Sequence, residues 1–146
     1  MPITAGLVAM LVLLATQLLA TPALAGQDCS TGIASQYAPG VMERVVRVRQ
    51  AGRTARNLPH DLPAVDGFVA AERCADIGQV WTVMHGERVE RMLVADCSGH
   101  ASTTQWMRRN RILIEVDGAT ARRWGVVGRG APVTVCRYSI AAATGF

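Results

Sequence analysis

The chain has 146 residues, half of them hydrophobic, and its 15 basic residues are all Arg. This length predicts a single domain, and the formal net charge of +4 is modest. The Arg residues are scattered along the chain, and the sequence shows no basic face with a recognisable nucleic-acid-binding motif. Nucleic-acid binding is therefore not expected.

Residues 1–25 have the features of an export signal. They contain no charged side chain, and the apolar run at 6–20 ends before Ala23 and Ala25, a small-residue cleavage signature. An uncleaved membrane anchor is the alternative, but the run is short for a span of ~20 residues. We therefore predict a secreted protein without stable membrane insertion, with one domain at 26–136 and a tail at 137–146. A basic exported protein is attracted to anionic polymers such as cell-wall glycans.

The exported part of the chain contains all four cysteines. An even number of cysteines after an export signal predicts two disulfides formed in an oxidising compartment, and the sequence alone permits three pairings. No Cys-x-x-Cys pair is present, so neither a zinc site nor another metal or cofactor is predicted. The cysteines are Cys29, Cys74, Cys97 and Cys136.

The segment at 41–51, VMERVVRVRQA, fits two structures. Val and Arg alternate near its end as in a half-buried strand, yet three of its valines also share one helical face that Gly52 could end. We predict a helix because the pattern runs unbroken through the segment. Residues 53–66 contain Pro59 and Pro63 without periodicity, which indicates a loop.

Short apolar runs of strand length follow at 68–71, 80–83, 92–95, 112–114 and 132–135. Residues 85–88 indicate a hairpin turn, and a polar loop is predicted between the runs at 92–95 and 112–114. Between the last two runs, residues 118–124 have a short helical pattern. Asp117 stands before it as a plausible N-cap, and Gly125 ends it.

Several segments have a characteristic order. They are VADCSG at 94–99, IEVD at 114–117 followed by an Ala-containing helix, GAPVTV at 130–135, and two upstream segments at 32–40 and 68–78. Together they resemble the double-psi β-barrel of the rare lipoprotein A family, which is related to barwin, expansins and some microbial endoglucanases. The resemblance covers most of residues 32–136 in patches. It implies a mainly β fold, a six-stranded double-psi β-barrel with one or two short helices.

This resemblance also favours one disulfide pairing. A Cys74–Cys97 bond would tie the end of one strand to the loop that contains Asp96. A Cys29–Cys136 bond would clamp the two ends of the barrel.

Catalytic positions are implied by the same resemblance. Asp117 matches an Asp that acts as a general acid in several branches of the family, and Asp96 matches the Asp in the turn after the earlier strand. A structural role is the alternative for both, because an N-cap carboxylate binds backbone amides and Asp96 could simply order its loop. The Ser-Gly-Glu segment of transglycosylase-like members is missing, and Glu72 occupies their His position.

Three other residues are candidates for binding a glycan. Trp106 lies in a polar context and could stack on a sugar ring, His100 lies in the Asp96 loop, and Tyr37 belongs to the opening segment. Core packing is the expected role of Trp81 and Trp124.

Three functions follow. The first is a secreted barrel that binds or remodels cell-wall polysaccharide, such as a peptidoglycan-like glycan, with weak or no bond cleavage. The second is a glycan-cleaving enzyme of the lytic transglycosylase or endoglucanase type, using Asp117 with Asp96 or Glu72. The third is a non-enzymatic extracellular domain that binds a protein partner. Because the catalytic set is incomplete, the first and third are favoured over the second.

Overall fold

The computed structural model describes residues 27–138, which form six β-strands and three α-helices. The predicted export signal and residues 139–146 of the predicted tail lie outside the described residues. In chain order the elements are β1 (Gln27–Gln36), α1 (Val41–Gln50), β2 (Gly67–Ala71), β3 (Val80–His85), β4 (Arg88–Cys97), α2 (Ala101–Arg109), β5 (Ile112–Val116), α3 (Gly118–Trp124) and β6 (Ala131–Tyr138).

The six strands close into a barrel in the order β1-β5-β2-β4-β3-β6. Two neighbouring pairs are parallel, β1 with β5 and β2 with β4, and the other four pairs are antiparallel. Each parallel pair contains one shift of register, where one strand has an extra residue opposite its partner. The predicted mainly β class is confirmed, and β2 to β6 contain the five apolar runs that were predicted to be strands.

Apolar side chains pack on both sides of the barrel wall. The interior is filled by alternate residues of the strands, among them Val69, Val94, Ile114 and the almost fully buried Trp81. Outside the wall, Met42 and Val46 of α1 pack with Ala70, Leu93, Ala95 and Leu58 in a second apolar cluster. α1 is therefore held by the spacing of its apolar residues along one helical face, and the predicted helix at 41–51 is confirmed.

The prediction of one or two short helices is wrong, because α2 occupies the segment predicted to be a polar loop. This helix is polar on most of its surface, and Met107 is its one buried residue. Its apolar periodicity is therefore too weak to indicate a helix. The predicted helix at 118–124 is confirmed, with Asp117 as N-cap and Gly125 in the left-handed conformation at its end.

Both favoured disulfides are present. Cys29 and Cys136 are register partners on β1 and β6, with Cα atoms 4.1 Å apart, and their bond joins the first and last strands. Cys74 and Cys97 have Cα atoms 4.9 Å apart, and their bond links the β2–β3 connection to the end of β4. Two disulfides are compatible with an oxidising, extracytoplasmic environment.

Replacing Cys29 and Cys136 with Ser should lower the free energy of unfolding more than replacing Cys74 and Cys97. The sequence separations are 107 and 23 residues, which correspond to about 5 and about 3 kcal/mol of loop-closure entropy in the unfolded chain. Urea unfolding of both double variants beside the oxidised parent measures the difference. A reversed order would show that ring length does not set the stabilisation.

Candidate functional site

Four side chains lie side by side across neighbouring strands on the outer face of the barrel. Ser35 of β1 is in register with Glu115 of β5, Glu115 with Ala70 of β2, and Ala70 with Asp96 of β4. The register shift in the β2–β4 pair aligns Ala70 with Asp96 instead of Ala95, and such bulges re-aim side chains. We call Ser35, Glu115, Ala70 and Asp96 the carboxylate row.

Asp96 is held by two donors that come from outside the row. The hydroxyl of Tyr37 donates to Oδ2 at 2.7 Å, and Nη2 of Arg49, in the last turn of α1, donates to Oδ1 at 2.6 Å. The side chains of Arg49 and Asp96 are only 12% and 13% exposed, so this salt bridge is largely shielded from water. The Asp96 contacts therefore join the segment after β1, the end of α1 and the barrel wall.

Glu115 is the second carboxyl group of the row. Its nearest polar partner is Ser35, whose hydroxyl donates to Oε1 at 3.5 Å, a long hydrogen bond. Burial raises the pKa of Glu115 above that of an ordinary glutamic acid, the Ser35 hydrogen bond lowers it in part, and the negative charge of Asp96 raises it further. Burial and the Asp96 contact also raise the pKa of the Tyr37 hydroxyl.

Two depressions lie beside this cluster. One, of about 410 Å³, is lined by 35–39 at the end of β1 and by 127–130 before β6. The other, of about 210 Å³, is lined by Asp96, Arg49 and neighbouring residues of α1. Tyr37 lines the first and Asp96 the second, so their hydrogen bond connects the two. Ligand sites are concave and carry a few convergent polar groups of this kind.

A larger depression, of about 600 Å³, lies between β1, β6 and the β3–β4 turn. Arg111 is its only ionisable lining residue. This surface is therefore not suited to acid–base chemistry, which needs a group that can give up or take a proton near the working pH.

Asp117 does not belong to the carboxylate row, and both its carboxylate oxygens are occupied. Its Oδ1 accepts from the amides of Ala119 and Thr120, and its Oδ2 accepts from the Phe68 amide and the Thr120 hydroxyl, all at 2.8–2.9 Å. The residue is 3% exposed, and a Cβ at Gly67 would come within 2.8 Å of Oδ2. Asp117 thus caps α3 and fastens it to β2, with no free face for a substrate.

Glu72 lies at the end of β2 and pairs with Arg108 of α2. Both Nε, at 2.9 Å, and Nη2 of Arg108 donate to its Oε1. This pairing lowers the pKa of Glu72, although burial opposes the effect. A proton donor near neutral pH needs a shift in the opposite direction.

The remaining candidates have separate surroundings. His100 is the exposed N-cap residue of α2 and its side chain makes no capping hydrogen bond. Trp106 is 47% exposed on α2, as predicted, but it lines neither depression beside Asp96. Trp81 and Trp124 are buried, as predicted. Of the predicted site residues, the structure brings together Asp96 and Tyr37.

Within residues 27–138, no group of three or more His, Cys, Asp or Glu side chains is arranged to hold a metal ion. The same part of the chain contains no helix long and apolar enough to cross a membrane.

Sequence reasoning missed Glu115, Arg49 and Ser35. The one signal for Glu115 was its place between Ile114 and Val116, where alternation in a strand turns a polar residue away from the interior. Nothing local marks Arg49, one of 15 Arg residues, as the partner of an Asp 47 positions later.

Replacing Asp117 with Ala should lower the free energy of unfolding by about 2–4 kcal/mol. Loss of the helix cap accounts for about 1 kcal/mol, and buried donors left without an acceptor add about 1–3 kcal/mol. Urea unfolding measures the change, with Asp61→Ala in the exposed loop as a control that should stay within about 0.5 kcal/mol of the parent. A loss no larger than the control's would show that Asp117 is not a structural link.

Comparison of the chain with family models, with curated proteins and with solved structures finds no match. Functional assignment therefore depends on the chemistry of the carboxylate row and its surroundings.

Proposed function

We propose that this protein is a secreted double-psi β-barrel of the rare lipoprotein A type that binds or remodels cell-wall polysaccharide. The binding site is the surface formed by Tyr37, Asp96, Arg49 and the two depressions beside them. A peptidoglycan-like glycan is the expected ligand class.

The strand pairing supports the double-psi assignment. Each of the parallel pairs, β1 with β5 and β2 with β4, joins strands that are not consecutive in the chain and contains a register shift. Such a duplicated arrangement suits a barrel with internal pseudo-symmetry. The short helix α3 after β5, begun by Asp117, agrees with the segment order on which the resemblance is based.

Export is supported by the two disulfides, because bonds of this kind persist outside the reducing cytoplasm. The sequence features of residues 1–25 favour the same location. A polysaccharide outside the cell is then within reach of the barrel surface.

The observation that carries the proposal is the contact of Asp96 with both Tyr37 and Arg49 between two depressions. It brings a carboxylate, a guanidinium and a phenol together beside the two depressions. Sugar hydroxyl groups both donate and accept hydrogen bonds, so a mixed set of donors and acceptors suits them better than a purely apolar pocket. The aromatic ring of Tyr37 adds an apolar face beside these groups.

Cleavage by Asp117 is not part of this proposal. Four hydrogen bonds occupy the two carboxylate oxygens of Asp117, and its burial keeps a glycan away from it. The position therefore serves the fold in the structure described above.

Purified oxidised protein should sediment with insoluble peptidoglycan, and parallel tubes with cellulose test the choice of glycan. Tyr37→Phe keeps the ring but removes the hydroxyl that contacts Asp96, and we expect about fivefold weaker binding for the loss of about 1 kcal/mol. Asp61→Ala is the matched control and should bind as the parent does. Parent protein that stays in solution with both glycans would contradict the proposal and favour a protein partner.

A further inference from the structure

We propose that α1 and the loop after it bind the carboxylate groups of an acidic polysaccharide, through the basic depression beside Asp96. The inference rests on the proposed binding of a polysaccharide, and it names the chemical group that is recognised. The ligand is therefore a glycan that carries negative charge, not a neutral one such as cellulose.

Although Arg residues occur throughout the chain, positive charge is concentrated at residues 43–56. This segment contains five of the 15 Arg residues and a single acidic residue, Glu43. Five positive charges and one negative charge give a net charge of +4, which equals the formal net charge of the whole chain. A surface of one sign attracts ligands of the opposite sign and raises their local concentration. The five arginines are Arg44, Arg47, Arg49, Arg53 and Arg56.

Four of these arginines have no acidic partner in the part of the chain that the structure describes. Arg49 pairs with Asp96, whereas the other four side chains take part in none of the salt bridges within residues 27–138. Arg44 and Arg47 are three positions apart on α1, so their side chains are neighbours of like charge, which weakens a helix. A bound anion would relieve this repulsion.

A concave site lies within this basic surface. Arg44, Arg49 and Asp96 line the depression of about 210 Å³. Two guanidinium groups and one carboxylate leave one positive charge there, which a single anionic group of a ligand would neutralise. Val45 and Val48 add apolar lining, as is usual in sites where a few polar groups orient a ligand.

Arg49 also has a donor that the chain leaves unused. Asp96 accepts from Nη2 of Arg49 through one oxygen, while its second oxygen accepts from the Tyr37 hydroxyl. Nε of Arg49 is buried and has no hydrogen-bond partner among the described residues. Because a guanidinium binds a carboxylate best through two parallel N–H groups, the pair with Asp96 is incomplete. Arg49 therefore keeps donor capacity beside the depression that it lines.

An anionic membrane fits this face less well than a polymer does. A helix that lies on a membrane buries its apolar face among the lipids. The apolar face of α1, with Met42 and Val46, packs against the barrel wall instead. The arginines can pair with anions at the surface, but this face of the helix is not available for insertion.

The test uses one polymer in two charge states. Polygalacturonate carries a carboxylate on each sugar, and its methyl ester has the same backbone without the charge. By isothermal titration calorimetry, we expect the oxidised protein to bind polygalacturonate about tenfold more tightly than the ester, as hydrogen bonds to a charged group allow. Raising the salt concentration from about 0.1 M to about 1 M shortens the Debye length from about 10 Å to about 3 Å. This preference should then largely disappear.

Matched variants locate the site. Arg44→Gln combined with Arg47→Gln should weaken binding of polygalacturonate about fivefold, the loss expected for two exposed charges, and leave binding of the ester unchanged. Arg88→Gln combined with Arg109→Gln removes the same charge from exposed residues of β4 and α2 and should bind as the parent does. Urea unfolding should show the Arg44/Arg47 variant to be at least as stable as the parent, because a pair of like charges is lost.

Each outcome decides a different point. Equal binding of polygalacturonate and its ester, or binding of peptidoglycan alone, overturns the carboxylate preference and leaves the proposed function standing. An equal loss of binding in the two double variants overturns the placement at α1. Tighter binding of phosphatidylglycerol vesicles than of polygalacturonate overturns the choice of a polysaccharide carboxylate. Parent protein that binds no polysaccharide, peptidoglycan included, overturns both this inference and the proposed function.

Discussion

The extra residue in β4 where it pairs with β2 is the constraint on which the site depends. Without that register shift, Ala70 would lie opposite Ala95, and Asp96 would belong to the next level of the barrel. With it, Asp96 lies level with Glu115 and within reach of Tyr37 and of Arg49. A single irregularity in strand pairing thus brings an acidic residue of the wall under the end of α1, and bulges at barrel rims commonly act in this way.

Two aspartates that look alike in the sequence have different roles in the structure. Asp117 follows β5 and gives both oxygens to amides and a hydroxyl of its own chain, so its carboxylate is part of the scaffold. Asp96 also has both oxygens occupied, but by side chains that border open depressions. The difference lies in what surrounds each residue: backbone amides and a neighbouring hydroxyl at Asp117, and side chains that line depressions at Asp96.

The glutamates differ in the same manner. Arg108 lowers the pKa of Glu72, while burial and the charge of Asp96 raise that of Glu115. The two pKa shifts are opposite in direction, because Glu72 is paired with a cation whereas Glu115 is partly buried near a like charge. A disulfide and a helix hold Asp96 in place. The Cys74–Cys97 bond fastens the end of β4, and Arg49, which pairs with Asp96, comes from the last turn of α1.

The sequence by itself determined the positions of five strands, β2 to β6, the helices at 41–50 and 118–124 and the cap at Asp117, because alternation, helical periodicity and capping are local. The first strand had only the resemblance to indicate it. The disulfide pairing was chosen correctly only with the help of the resemblance. α2 was missed because its one buried residue leaves no periodic signal. The carboxylate row was decided by tertiary structure alone. Ser35, Glu115, Ala70 and Asp96 come from four strands, and their alignment depends on closure of the barrel and on a register shift that no local pattern specifies.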